Sequence, residues 1–284
     1  MTERWYRVAN GAGRLALKSL AIDVRSTGLE HVPTTGPVLL AANHVSYPDF
    51  IFIEKAAIER GRYVRFMTRH DIWHQRALAG PMSGMKHIPV DREAPAAAYL
   101  MARRMLLEGE AVCGFPEAGI SYSYTVRALM RGLVSLARET QVPVIPVAIW
   151  GSQRIYSVGR DDHAGKAPRP DLTRGRRVDI TFGEPMAVAP DSDLTARTRG
   201  LGVRLTELLE EIQGRPHHRP RPGEWAPWHP AHLGGAAPTR HEARELDSVP
   251  RSSVRPSWGP ELCGSPDQAA CDAAPTCREG SPPN

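Results

Sequence analysis

The sequence predicts an α/β protein, a mostly parallel sheet with helices packed against it. Three observations lead there. Short apolar runs of strand length recur through the first three-quarters of the chain, amphipathic stretches of helical length separate them, and Gly, Pro, Asn and Asp punctuate the joins. Strands alternating with helices run parallel, because each helix carries the chain back across the sheet.

The first element spans Glu3 to about Leu20. Trp5, Val8, Ala12, Leu15, Ala16 and Leu20 recur there at helical spacing, interleaved with Arg4, Arg7, Arg14 and Lys18. A basic amphipathic helix of this kind suits an anionic membrane surface, and equally a helix that packs on its own domain. Turn formers fill Gly28–Pro37, and the apolar run Val38–Ala42 that follows reads as a buried strand. A helix then opens near Ser46 and runs to about Arg60, with Ser46 as N-cap and Pro48 in the first turn.

Further strands are predicted at Arg62–Met67, His87–Val90, Ala111–Phe115, Val142–Trp150 and Arg177–Thr181. Helices are predicted at Ala94–Glu108, Ala128–Glu139 and Leu194–Gln213, the last placing Leu201, Leu205, Leu208, Leu209 and Ile212 on one face.

Composition divides the chain. Of its 284 residues, 41% are hydrophobic and 24% charged, ordinary for a globular protein. Thirteen of the 26 prolines, however, lie in residues 214–284, where 8 basic and 8 acidic residues cancel. The net charge of +5 therefore belongs to residues 1–213, as 28 basic less 23 acidic side chains. Three regions follow: a membrane-surface helix over 1–27, the working domain over 28–213, and a Pro-rich tail over 214–284 expected to be disordered, with His217 and His218 solvated.

The basic body fits anionic lipid, phosphorylated substrates or an acidic carrier protein, and it lacks the interleaved aromatics of a nucleic-acid surface. No apolar run reaches the length of a spanning helix, and Met1-Thr-Glu-Arg-Trp-Tyr-Arg lacks a leader's apolar segment. The expectation is a cytoplasmic protein, peripheral on the cytoplasmic face of the membrane. Cys113 sits in an apolar strand, where a thiolate is costly, while Cys263, Cys271 and Cys277 form no C-x-x-C pair, so neither a thiol nucleophile nor a zinc site is indicated.

The chemistry concentrates in Asn43-His44-Val-Ser-Tyr-Pro-Asp49, which puts a histidine at a strand end and a carboxylate in the first turn of the next helix. Strand ends of α/β sheets are where ligands bind. A sharp turn between the two lets Asp49 accept a hydrogen bond from one imidazole nitrogen, leaving the other as a base. The spacing Ser46-x-x-Asp49 also fits a capping box.

Three further blocks follow in order: Lys86-His-Ile-Pro-Val-Asp-Arg92, Phe115-Pro-Glu-Ala-Gly-Ile-Ser121 and Val142-Pro-Val-Ile-Pro146. Together with N-H-x4-D at Asn43, His44 and Asp49, they resemble the four blocks of the lysophospholipid acyltransferase family, the 1-acylglycerol-3-phosphate and glycerolphosphate acyltransferase group. The resemblance implies that His44 takes the proton of an acceptor hydroxyl, oriented by Asp49, and that the hydroxyl attacks a thioester. No serine nucleophile is needed, in keeping with a chain that has no G-x-S-x-G.

It also implies that Arg92, Glu117, Gly119 and Ser121 surround the acceptor, with Arg92 on its phosphate and Glu117 either binding the acceptor or holding the site together. From the residues alone, Arg92 equally fits a local ion pair with Asp91 or Glu93, and Glu117 a helix start after Pro116. No cofactor or metal is implied, only acyl-coenzyme A or acyl carrier protein as co-substrate. The acceptor implied is a lysophospholipid, 1-acyl-sn-glycerol-3-phosphate foremost, giving phosphatidate. The third block departs from the family's F-P-E-G-T-R-S, because Ala118-Gly-Ile120 replaces Gly-Thr-Arg. One phosphate-binding candidate is thereby missing, which keeps glycerol 3-phosphate or another lysolipid open as acceptor and brings Arg127 and Arg131 in as substitutes. A non-catalytic lipid-binding protein is the alternative outside enzymology.

Overall fold

The computed structural model describes residues 3–158, 169–247, 250 and 252–255. Seven strands form one sheet: β1 (Asp23–Thr27), β2 (Val38–Ala42), β3 (Val64–Arg69), β4 (Ile88–Val90), β5 (Ala111–Gly114), β6 (Val144–Trp150) and β7 (Arg177–Phe182). Their order is β1-β7-β6-β2-β5-β3-β4, and every pairing is parallel except β6 with β7. The fold class read from the sequence is thus observed. All residues of β2, β5 and β6 are buried, as expected where helices cover both faces.

Among the described residues seven α-helices accompany the sheet: α1 (Arg4–Ser19), α2 (Asp49–Ile58), α3 (Arg76–Gly84), α4 (Ala96–Leu107), α5 (Gly132–Thr140), α6 (Leu194–Gln213) and α7 (Arg240–Leu246). From β2 the chain passes through α2 toward β3 on one side, whereas from β5 it passes through α5 back to β6 on the other. Right-handed crossovers in opposite directions put α2 on one face and α4 and α5 on the other, where α6 also packs. The reversal opens a crevice at the C-terminal ends of β2 and β5, the position where open α/β sheets bind ligands.

Two elements lie outside the sequence expectation. β1 is an edge strand with partly exposed polar residues, and α3 carries Gly80 and Pro81, so neither shows an apolar period. Ser46 does not cap α2. Pro48 holds the N-cap position, and the Ser46 hydroxyl donates to Asp49 instead.

α1 docks by a different face from the one its pattern suggested. Tyr6 and Leu17 are buried, and the Tyr6 hydroxyl donates to the Val64 carbonyl. Arg65 joins Glu3 at 2.8 Å and Glu110 at 2.9 Å, pinning the helix start. Trp5, Val8 and Leu15 remain 46%, 66% and 68% exposed beside Arg4, Arg7, Arg14 and Lys18.

The boundary expected at Gly214 also moves, because residues 214–247 fold back onto the body. Asp179 on β7 accepts from His217 at 2.9 Å and from buried His218 at 2.7 Å, and further from Arg177 and Arg215. Arg240, opening the capping-boxed α7, donates to Thr125 at 2.9 Å, and Arg127 pairs with Asp247 at 3.0 Å. The buried residues of this segment are Ala226, Ala237, Ala243, Pro230, Pro238 and two histidines. Small residues and polar anchors without period carry no signal in composition, which is why the segment read as disordered. Cys263, Cys271 and Cys277 lie outside the described residues.

Candidate active site

The site starts with how β2 ends. The Asn43 side chain continues the ladder to β6, its amide donating to the Ile149 carbonyl at 3.2 Å while its carbonyl accepts the Ile149 N–H at 2.7 Å. The chain must leave the sheet at the next residue, His44, and turn into α2. His44 Nδ1 lies 2.9 Å from Asp49 Oδ2, so the carboxylate holds the tautomer with hydrogen on Nδ1. The imidazole stacks on Phe115 with ring centroids 4.2 Å apart, which fixes its plane. Its side chain keeps 20% exposure, and Nε2 has no hydrogen bond to protein among the described residues.

Asp49 is fully buried yet well satisfied. Oδ2 also accepts the Val45 and Ser46 N–H groups, each at 2.9 Å, and Oδ1 accepts the Ser46 hydroxyl and the Ser152 hydroxyl, the latter at 2.6 Å. Asp49 is thus not the N3 member of a capping box, and its carboxylate is taken up by His44 and by the turn that leads into α2. Ser152 comes from the turn after β6, made possible by Gly151 at φ +104°, where a Cβ would lie 2.2 Å from the Arg177 carbonyl oxygen.

The third block forms the opposite wall. Glu117 Oε1 accepts the His44 N–H at 2.8 Å and Oε2 accepts the Arg127 N–H at 3.0 Å. Burial pushes the Glu117 carboxyl up to about 7, against the pull of these donors and of the Arg127 charge. Ser121 is buried as well, donating its N–H to the His44 carbonyl at 3.3 Å and sharing hydroxyl contacts with Ser123. Gly119 leaves room for Arg127, whose Nη2 would sit 2.4 Å from a Cβ there. Glu117, Gly119 and Ser121 thus hold the loop behind His44, which for Glu117 is one of the two expected roles and for Gly119 and Ser121 differs from the expectation that they face the acceptor.

Arginines occupy the other end of the crevice. Arg69 ends β3 and Arg92 follows β4, on the same strand-end edge as His44. Among the described residues Arg92 pairs with neither Asp91 nor Glu93. Partial burial, and then the positive charges of Arg69 and Arg127, hold its guanidinium below the usual range. Arg69 pairs with Asp71. Arg127 is buried and spent on the Glu117 carbonyl and Asp247, and Arg131 reaches toward Thr195 and Ser252, so neither substitutes for the arginine absent at Ile120. Cys113 is fully buried and its thiol is pushed up by burial.

The acyltransferase pattern matches residues 23–150, a span that contains the four blocks and the His44–Asp49 pair. Over that span the chain is similar to the acyltransferase family. It is 25% identical over 138 residues to a chloroplast 1-acyl-sn-glycerol-3-phosphate acyltransferase of Brassica napus, covering 47% of this chain and 39% of that protein. It is 28% identical over 144 residues to the mouse 1-acyl-sn-glycerol-3-phosphate acyltransferase alpha, covering 50% and 49%. The chain thus spans half or less of these curated relatives. Its fold is similar to that of the 1-acyl-sn-glycerophosphate acyltransferase PlsC of Thermotoga maritima, with TM-score 0.58 and 22% identity over 74% of this chain and 80% of that one.

Asn43 and Phe115 stand in the first and third blocks, and Gly151–Arg154 follows the fourth-block strand where a loop reaches the site, but the ladder bonds of Asn43, the stacking of Phe115 and the bond from Ser152 to Asp49 carried no signal in the sequence.

Proposed function

We propose that the chain transfers a fatty acyl group from a thioester to the free hydroxyl of a lysophospholipid, 1-acyl-sn-glycerol-3-phosphate foremost, forming phosphatidate. The observation that carries this is the His44–Asp49 pair, Nδ1 bound at 2.9 Å and Nε2 open to the crevice, with Arg69 and Arg92 along the same edge. In this mechanism His44 Nε2 removes the hydroxyl proton as the oxygen attacks the thioester carbonyl. The tetrahedral adduct then expels the thiolate, which takes the proton back from His44, so base and proton balance are restored. Asp49 is a positioning residue that steadies the transient imidazolium. Arg92, with Arg69, supplies the phosphate contact, since a guanidinium fork matches phosphate oxygens.

The missing block-three arginine supports a second acceptor set, because Ile120 at that position is buried and apolar. Glycerol 3-phosphate and lysolipids with other headgroups belong in the same panel. The acyl donor is acyl-coenzyme A or acyl carrier protein. No helix among the described residues is long and apolar enough to cross a membrane, and the exposed apolar and basic residues of α1 favour peripheral attachment to an anionic surface.

The test is thiol release by purified protein with palmitoyl-coenzyme A and the acceptor panel, products identified by mass spectrometry. Phosphatidate formed fastest from 1-acyl-sn-glycerol-3-phosphate is expected. A preference of tenfold or more for another acceptor would replace the assignment, and no acceptor-dependent release with any donor would reject it.

A further inference from the structure

A cavity of about 300 Å³ opens beside the active site, lined by Arg154, Tyr156, Arg169, Asp171, Arg176 and Trp228 among others. Its wall is continuous with the catalytic loop. The Tyr156 ring packs at a tilt against Tyr47, centroids 4.6 Å apart, and the Tyr156 carbonyl accepts the Tyr47 N–H, Ser157 donates to the Val45 carbonyl, and Ser152, two residues before Arg154, holds Asp49.

Three arginines meet one carboxylate here. Arg176 pairs with Asp171, while the Arg154 guanidinium lies 4.1 Å over the Trp228 ring and has no hydrogen bond or ion pair among the described residues. The Nε atoms of both Arg154 and Arg176 are buried without an acceptor. Glu224, the other acidic group acting on Arg154, is engaged by the Arg221 N–H. Burial, and then the neighbouring Arg176 charge, hold the Arg154 guanidinium below its usual range. Buried donors left unpaired cost free energy until an anion with several oxygens satisfies them.

Position gives the anion its identity. In strand order, Arg69 and Arg92 lie on the β3–β4 side of His44 and this cavity on the β6–β7 side. Acyl transfer brings two phosphate-bearing molecules to one base, and the two arginine clusters flank that base. We propose that the cavity binds the phosphate-bearing end of the acyl donor, with the pantetheine arm running past Tyr156 to His44; this rests on the acyl-transfer reading above. Coenzyme A and the prosthetic group of a carrier protein share that chemistry.

The test uses the full-length chain and its Arg154→Gln and Arg169→Gln variants. Arg169 is exposed at the rim, so its variant controls for loosening of the Arg154–Trp228 stack. The readouts are KM for palmitoyl-coenzyme A, for palmitoyl-carrier protein and for lysophosphatidate, together with calorimetric titration of coenzyme A and of phosphopantetheine. Arg154→Gln is expected to raise the donor KM and weaken coenzyme A binding about tenfold, leaving the lysophosphatidate KM and kcat within about twofold. Arg169→Gln is expected to do the same to a smaller extent. A response confined to the carrier-protein donor and phosphopantetheine would assign the cavity to that source. If transfer proceeds and donor KM and coenzyme A binding are both unchanged, or the lysophosphatidate KM rises instead, the cavity assignment is overturned and the acyl-transfer reading stands. If coenzyme A binds tightly only with Arg154 intact but no acceptor supports turnover, the cavity stands and the acyl-transfer reading fails.

Discussion

Replacing Asp49 by Asn separates orientation from charge. The amide carbonyl takes the place of Oδ2 and keeps the bonds from His44 Nδ1, Val45 N and Ser46 N, while Nδ2 turns to the Ser46 and Ser152 hydroxyls, which rotate to accept. The fold therefore survives, at a cost of about 1–2 kcal/mol. The imidazolium formed in the transition state loses its counter-charge. At 2.9 Å and an effective dielectric of about 20, that attraction is roughly 6 kcal/mol. Solvent at the partly exposed His44 reduces it to about 3–5 kcal/mol, or about 10²- to 10⁴-fold in kcat. Steady-state thiol release with palmitoyl-coenzyme A and 1-acyl-sn-glycerol-3-phosphate measures this, with KM values expected to change by less than about threefold. A kcat within fivefold of the parent, in a variant that is folded at the assay temperature, would refute the reasoning that the Asp49 charge serves the base.

Three other outcomes follow from the packing. His87 is buried, accepts the Phe66 N–H at 3.1 Å, and is held down at about 4 by burial and then by Arg65, against an ordinary 6.5. Its folded-state value is depressed, so its contribution is complete above pH 6.5 and lost as pH falls through about 4. Denaturant titrations should show about 3 kcal/mol more loss across that window than in His87→Gln; parallel curves would contradict it. Asp179→Asn removes the carboxylate charge and one of the two acceptor oxygens shared by Arg177, Arg215, His217 and His218, and since both arginines keep some solvent contact the cost should be about 2 kcal/mol. Faster limited proteolysis after Gly214 is expected, and an unchanged cleavage rate would show that the tail is held elsewhere. Changing Trp5, Val8 and Leu15 together to Ser should abolish flotation with phosphatidylglycerol vesicles, because each side chain contributes on the order of 1 kcal/mol or more when buried in the interface. Undiminished binding would separate α1 from the membrane.

What the sequence disclosed follows the physics of burial. β2, β5 and β6 are covered on both faces and read as unbroken apolar runs, while β1, at the sheet edge with Arg25 and Thr27 exposed, has no such pattern. The amphipathic period of α1 was visible, but not that Tyr6 and Leu17 would dock and leave the stripe through Trp5, Val8 and Leu15 outside. His44, Asp49, Glu117 and Arg92 were legible because their spacing along the chain is itself the motif. Ser152 and Arg154 reach the site only through the parallel pairing of β2 and β6, and Trp228 only through the return of the tail, contacts between segments remote in sequence. Glu117 was found with two tasks open, and its carboxylate, which holds the His44 and Arg127 backbone, takes the structural one.

The most direct test of the central claim is the kcat of His44→Ala in lysophosphatidate-dependent release of coenzyme A, measured beside its equilibrium binding of both substrates. Loss of at least about 10²-fold in kcat, with binding retained, is the result predicted for a general base. A variant that keeps near-parent turnover would place the base elsewhere and contradict the account.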